Sequence, residues 1–502
     1  MSIDLSEIVR GLGDREKVAA IDKVPGGATP RSAGRAQEKR TQENRPFVCH
    51  QFENVFAAAE KCINHATESC FVVDHEQRLV GRIFLEHIRR AILDGSAIAR
   101  PSICDHLSTD PLSSNEPDEL HPIVDDDGRL VDVLVDRRAR FVQVARPNLS
   151  GREFRAVIDA FLSSWISGKG PHLKEFEAAF AASVGMKHGI AVANGTVALH
   201  LALATLGIGP GDEVIVPDLT FAATINAVLY CGATPVIVDV DPTTWTMSVE
   251  QVLPALTART KAILPVHLYG RPAEIGPLAE LARARGCFIV EDCAEAHGAR
   301  YAGRMIGSFS DISCFSFHSN KIVTTGEGGM CLVNADELAA QAAVLRDHGM
   351  APQQIYWHEQ VGFNYRMANL QAALGLAQLA RADETIKRNL ELEAAYHAHL
   401  GAIPGVALPP RLGPEYEPVV WLVSMLVPAD RRAALIAASR TANIELRPFF
   451  YPLSRMPLYQ RYARDCRNSV ALSETGLNLP TSTVVDASVM EKLAGIFRTV
   501  LR

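Results

Sequence analysis

A chain of 502 residues has room for two or more domains, each burying its own core. Its 48% hydrophobic and 21% charged residues are those of an ordinary globular protein, and a formal charge of −7 gives no reason to expect a nucleic-acid or anionic-membrane partner. No apolar run approaches the ~20 residues that span a bilayer, and the opening MSIDLSEIVRGLGDREK lacks the apolar stretch of a secretory signal, so the expected location is the cytoplasm.

Residues 1–45 include PGGATPRSAGRAQEKRTQENRP, poor in apolar side chains, and are expected to form a flexible arm because they cannot offset chain entropy by burial. Residues 46–145 carry an internal echo: Val73-Asp74-His75-Glu76-Gln77-Arg78-Leu79-Val80 recurs as Val124-Asp125-Asp126-Asp127-Gly128-Arg129-Leu130-Val131. Each copy has the pattern strand, acidic turn, strand, and the first runs on into a helical pattern (Phe84, Ile88, Ile92). The region resembles a degenerate tandem CBS, or Bateman, module, a family that often binds adenosyl nucleotides. In that family a Thr or Ser followed three residues later by Asp holds the ribose. Here the first copy has Phe84 and His87 at those positions, and the second has no match. Two roles stand open, structural or assembly packing and nucleotide sensing. On the first, the apolar strand faces (Phe71, Val73, Leu79, Ile123, Val133) pack against a catalytic domain, the chain's own or a neighbour's.

Beyond Arg146-Pro147 the character changes. Apolar β-rich runs (Glu213–Val216, Pro235–Val240, Ala262–Val266, Phe288–Glu291) alternate with Ala/Leu-rich helical stretches, which predicts an α/β domain with a mostly parallel sheet over residues 146–380. A charged helical connector, TIKRNLELEAAYHAHL, leads into a smaller α+β portion, and the two together make up residues 381–502. Ten scattered cysteines without a CxxC pair fit reduced, packed thiols, and sixteen histidines without metal-ligand spacing give no reason to expect a metal.

Four motifs carry chemistry. Asn194-Gly195-Thr196 follows a short strand and opens a helix, presenting free amides and a hydroxyl suited to a phosphate, although an ordinary cap has the same look. Phe221, in Val216-Pro217-Asp218-Leu219-Thr220-Phe221, lies past the C-terminal end of the next strand, where it can stack on a flat ring or fill a core. Asp292 ends the strand IVED and can pair with a protonated pyridine nitrogen; Glu291 is then a helix-start acid or a solvent-facing charge. In SCFSFHSNKIVTTGEGGM, Lys321 lies between a strand end and a Gly-rich turn, where partial desolvation makes an amine nucleophilic toward an aldehyde; the alternative is a surface lysine.

Taken together, these motifs from about Asn148 onward resemble the sugar-aminotransferase branch of the fold-type I pyridoxal-phosphate enzymes, the DegT/DnrJ/EryC1/StrS family. The resemblance implies pyridoxal 5′-phosphate as cofactor, with Lys321 forming its imine and Asp292 meeting its ring nitrogen. It further implies that Phe221 stacks on the ring while Gly195, Thr196 and Ser316 hold the phosphate. Asn364, in VGFNYRM, matches an asparagine that reaches the phosphate from a neighbouring subunit, so a homodimer or higher homo-oligomer with shared active sites is expected. The segments EDCAEAHGA, LRDHGM and ELRPFFYP look most like the GDP-perosamine synthase group, with Glu295 standing where many relatives carry Gln or His. The implied reaction is amino transfer from L-glutamate to a nucleotide-linked 4-keto-6-deoxy sugar, serving amino-sugar or surface-polysaccharide synthesis. Arg447 is a candidate for the pyrophosphate or the donor carboxylate. Two rivals are a sugar dehydratase, in which histidine replaces the lysine, and a non-catalytic regulator that only binds cofactor.

Overall fold

The computed structural model describes residues 47–65, 67–93, 102–103, 107, 120–124, 127, 129–135 and 141–502. The expected arm, 1–45, lies outside them, as do the side chains of Ile123 and Val133. The first elements are β1 (Val48–His50), α1 (Val55–His65), β2 (Ser69–Val73), β3 (Leu79–Phe84) and α2 (Leu85–Leu93), followed by a hairpin of β4 (Leu120–Val124) and β5 (Leu130–Val135). β1, β2 and β3 form one small sheet. Phe71 and Val73 on its inner strand pack with Leu79 and with Leu130 of the second hairpin. That strand face, expected to dock on a catalytic domain, is therefore used inside the region itself. Docking falls to α1, whose Phe56 meets Phe154 of the first helix beyond the two hairpins at 6.5 Å between ring centroids.

That helix, α3 (Gly151–Leu162), starts at a capping box in which Ser150 and Glu153 satisfy each other's backbone groups. α4 (Pro171–Val184) begins on a proline and stops at left-handed Gly185, the ordinary punctuation of a helix. The chain then alternates: β6 (His188–Val192), α5 (Gly195–Thr205), β7 (Glu213–Pro217), α6 (Ala223–Tyr230), β8 (Thr234–Val238), β9 (Thr260–Ile263), α7 (Ile275–Arg285), β10 (Phe288–Asp292), β11 (Ile312–Ser316) and β12 (Gly329–Val333). The seven strands form one sheet in the order β6-β12-β11-β10-β9-β7-β8, parallel except for β12, which runs antiparallel to both neighbours.

Period-two alternation covers both faces. Val214 and Val216 of β7 join the cluster under α5 and α6, whereas Ile215 between them joins Leu278 and Ala282 of α7 on the other side. The remaining face, near β11 and β12, packs Phe315, Met330 and Leu332 on Phe176 and Phe180 of α4. Burying a parallel sheet on both faces leaves its C-terminal edge as the natural crevice.

After α8 (Asp336–Arg346) and α9 (Asn369–Leu379), the long α10 (Ala382–Leu400) leads to an antiparallel sheet of β13 (Val423–Leu426), β14 (Arg447–Pro448) and β15 (Gly476–Leu479). α11 (Ala429–Thr441) and α12 (Ala487–Val500) complete this part. Residues ahead of α3 are woven into it. The Val142 amide donates to Asn443 O at 2.8 Å, Glu445 N donates to Val142 O at 2.9 Å, and Thr481 N donates to Val144 O at 2.7 Å. Among the described residues no helix is long and apolar enough to cross a membrane.

Candidate active site

A cavity of about 600 Å³ opens at the C-terminal ends of β7, β10 and β11 and at the start of α5. Its lining includes Gly195, Thr196, Phe221, Asp292, Glu295, Ser316, Lys321 and Arg447, so eight of the nine expected site residues meet in one place. Asn364 does not line it. That residue is exposed, and its side-chain oxygen accepts only a long 3.5 Å contact from Arg366.

Each residue is held by its element. Asn194 caps α5 by accepting the Val197 amide at 3.0 Å, and the Gly195 and Thr196 amides ahead of it have no intrahelical partner. A side chain at 195 would run into Ser316, 2.7 Å from its Cβ, so only glycine lets the helix start approach the end of β11. Two orphan amides and two hydroxyls, those of Thr196 and Ser316, thus converge in a cup chemically suited to a phosphate. Phe221 is 59% exposed with its ring in the cavity, which a core phenylalanine would not be; Phe450 lies 5.8 Å from it.

Asp292 is buried at the end of β10, where it accepts the Thr224 hydroxyl at 2.9 Å and the Ala294 amide at 3.2 Å. Burial raises its pKa, and Lys321 is among the groups that pull it back down. Glu291, expected as a helix-start or solvent-facing acid, is neither. It is wholly buried, and its oxygens accept Ser310 Oγ and the Gly307 and Phe309 amides while one faces His267 Nε2 at 3.1 Å. His267 in turn accepts the Ala273 amide. This network braces the strand that presents Asp292. With Cys293 it is a group whose donor atoms lie within 4.8 Å of one another, and its carboxylate and imidazole are already engaged by the protein.

Lys321 is fixed by its turn. Its amide donates to His318 O at 2.9 Å, Thr325 N donates to Phe317 O at 2.9 Å, and Ile322 and Val323 are buried anchors on the far side. Its side chain is 10% exposed, with Nζ 3.6 Å from Glu295 Oε1. Burial lowers the lysine's pKa against the opposing pull of Glu295 and Asp292. Burial pushes Glu295 up to about 7, with Lys321 acting the other way. A partly destabilised ammonium beside an acid of that kind can exchange a proton near neutrality. Arg447 pairs with Glu445 at 2.8 Å, as the paired reading expects, and it also lines the cavity.

Three contributors carried no sequence signal that could be read alone. Thr224 reaches Asp292 from the first turn of α6. Trp421 places its ring 3.6 Å from Lys321 Nζ. Tyr269, held at φ +52°, donates its amide to Glu295 at 3.0 Å and accepts the Phe450 amide on its hydroxyl at 2.9 Å. A left-handed tyrosine carries strain of a kind that gathers at functional sites, and it was the one marker available only from backbone geometry.

The DegT/DnrJ/EryC1/StrS aminotransferase family model matches residues 147–497. GDP-perosamine synthase of Caulobacter vibrioides is 43% identical over 364 residues, covering 72% of this chain and 98% of that one. Among solved structures, an aminotransferase from Streptoalloteichus hindustanus superposes with a TM-score of 0.69 at 31% identity, covering 72% of this chain and 98% of its own. A putative sugar aminotransferase from Streptococcus pneumoniae, in its PLP form, gives a TM-score of 0.66 at 27% identity, covering 71% and 97% of the two chains.

Proposed function

The chain belongs to the DegT/DnrJ/EryC1/StrS aminotransferase family, whose members depend on pyridoxal 5′-phosphate, and on that premise we propose that it moves an amino group from L-glutamate to a nucleotide-linked 4-keto-6-deoxy sugar. The observation that carries the reading is the convergence of a buried lysine, a buried carboxylate and a helix-start phosphate cup on one cavity. The donor set fits the cofactor. Gly195, Thr196 and Ser316 would hold its phosphate, Phe221 would stack on its ring, Asp292 would meet its pyridine nitrogen, and Lys321 would bind its aldehyde. When bound, the cofactor supplies an electron sink for a carbon that loses a proton.

The protein's own groups do the rest. Asp292, kept from water, holds a proton on the ring nitrogen and so favours charge flowing into the ring. Lys321 Nζ, once free, would move a proton from the amino donor's α-carbon to the cofactor's C4′ in the first half of the reaction and from C4′ to the sugar carbon in the second, with Glu295 as its neighbouring acid. Glutamate leaves as a 2-oxo acid before the keto sugar enters. Arg447 at the cavity mouth suits the pyrophosphate of that sugar nucleotide. The 43% identity to a GDP-perosamine synthase favours a GDP-linked substrate. We assign a homodimer, because Asn364 is exposed and does not line its own chain's cavity, and it follows an exposed run, Ile355, Tyr356, Trp357 and Val361, that a second copy would cover.

The test is to supply glutamate with GDP-, UDP- and dTDP-linked 4-keto-6-deoxy sugars and measure the aminated product. Amination of the GDP-linked sugar in preference to the others is expected; turnover of none of them would contradict the substrate class.

A further inference from the structure

We infer that Trp421 is a positioning residue for Lys321, its indole face forming the seat on which the free ammonium rests opposite Glu295. The inference rests on the reading of Lys321 as the cofactor lysine. Nζ lies 3.6 Å from the ring centroid and 3.6 Å from Glu295 Oε1. A cation over the face of an indole is attracted by the ring quadrupole, most strongly where water is excluded, and both side chains here are nearly buried.

The ring is not free to turn away. Trp421 Nε1 donates to Asn320 O at 2.7 Å, the residue next to the lysine, so the indole is tied to the very turn whose side chain it supports. Tyr269 lies nearly parallel to it, with centroids 6.1 Å apart and an interplanar angle of 22°. The same tyrosine's amide holds Glu295. One residue therefore steadies both walls of the seat, and Trp421 itself comes from the C-terminal part, just ahead of β13.

The charged and titratable groups around Nζ act in known directions. Glu295 and Asp292 favour the ammonium, and burial disfavours it. His297, also buried, is held down to about 3 and stays neutral. Behind Lys321 and Trp421 a small polar space is lined by Arg146 and Arg388, cations that do nothing to favour the ammonium. Against that background the indole face stabilises charge without adding a second acid. A lysine seated in this way is retained in the site during the half of the cycle when it holds no cofactor, with the indole opposing the burial that lowers its pKa.

A merely structural tryptophan would show none of this, and the charge state of the amine separates the two cases. The full-length chain is freed of cofactor and offered pyridoxal phosphate across a pH series; trapping with borohydride and peptide mapping measure capture at residue 321. Capture follows the neutral amine. Trp421→Met fills most of the volume without a π-face and should move the midpoint of capture down by about one pH unit. Trp421→Phe, which restores a face, should track the parent. Superimposable profiles for parent and Met, or equal shifts for Met and Phe, would overturn the inference. Label on a different lysine would instead overturn the reading of Lys321, and the peptide map shows that separately. Should the Met variant fail to fold, tryptophan emission is titrated in the parent and in Lys321→Met: a pH-dependent change in the parent that vanishes in the variant is expected, and identical titrations would contradict the seat.

Discussion

At the scale of single residues, Asp292 shows how place determines role. Two adjacent carboxylates end one strand, and the pleat sends Glu291 inward to a histidine and two amides while Asp292 meets the cavity. Asp292→Asn keeps the shape and the Thr224 contact but removes the charge proposed to meet a ring nitrogen. Cofactor should still bind through the phosphate cup, with kcat falling by about 10²–10³-fold; an Asn variant within about twofold of the parent would mean that another carboxylate serves. Lys321, Asp292, Gly195 and Thr196 were legible in the sequence because each sits at a strand end or helix start with a local signature. Trp421, Tyr269 and Thr224 were not. A tryptophan a hundred positions from the lysine gains its meaning only when β13 is folded back on the large sheet, and no spacing rule encodes that approach.

Among the elements, the segment just ahead of α3 matters most for how the parts are joined. Val142 and Val144 hydrogen-bond to the C-terminal part, and Val144 N also donates to Glu445 at 2.9 Å, the carboxylate that pairs with Arg447. A chain beginning at residue 141 keeps these bonds, whereas one beginning at 147 loses them. The shorter chain should melt about 5 °C or more below the longer one, and equal melting temperatures would show that the segment contributes nothing. A second joint is Asp218, past the end of β7, which accepts the Ser454 amide at 2.7 Å and its hydroxyl at 2.9 Å. Burial pushes Asp218 up to about 6. The folded state then holds this proton more tightly than the unfolded chain does, so its stabilisation is full below about pH 4 and is lost as pH rises through 6. Asp218→Asn can keep both contacts without the charge. Its melting temperature relative to the parent should therefore climb between about pH 4 and pH 7; a constant difference would place the titration elsewhere. The strands and helices of this part were readable from their alternation, but not these joints, which link residues more than two hundred positions apart.

For the whole molecule, the N-terminal region and the second subunit decide what is shared. Phe84 packs on His87 with rings 5.4 Å apart and lies 5.0 Å from the Arg82 guanidinium, so the place of a ribose-binding pair is filled by a ring cluster. Calorimetry against AMP, ATP and S-adenosylmethionine should show no micromolar binding; an affinity of that order that also changed the amino-transfer rate would make the region a sensor. If Asn364 completes the partner's site, mixing Asn364→Ala with Lys321→Ala should restore part of the activity through heterodimers with one intact site, provided each variant alone is inactive. Heterodimers without recovery would argue for sites built within one chain. Absorbance reads directly whether Lys321 binds the cofactor and passes its chemistry to an amino donor. The parent should show a cofactor band near the visible edge that bleaches on adding glutamate and is absent from Lys321→Ala, whose turnover is lost with its fold intact. A Lys321→Ala protein that kept both the band and its response to glutamate would contradict that role for Lys321.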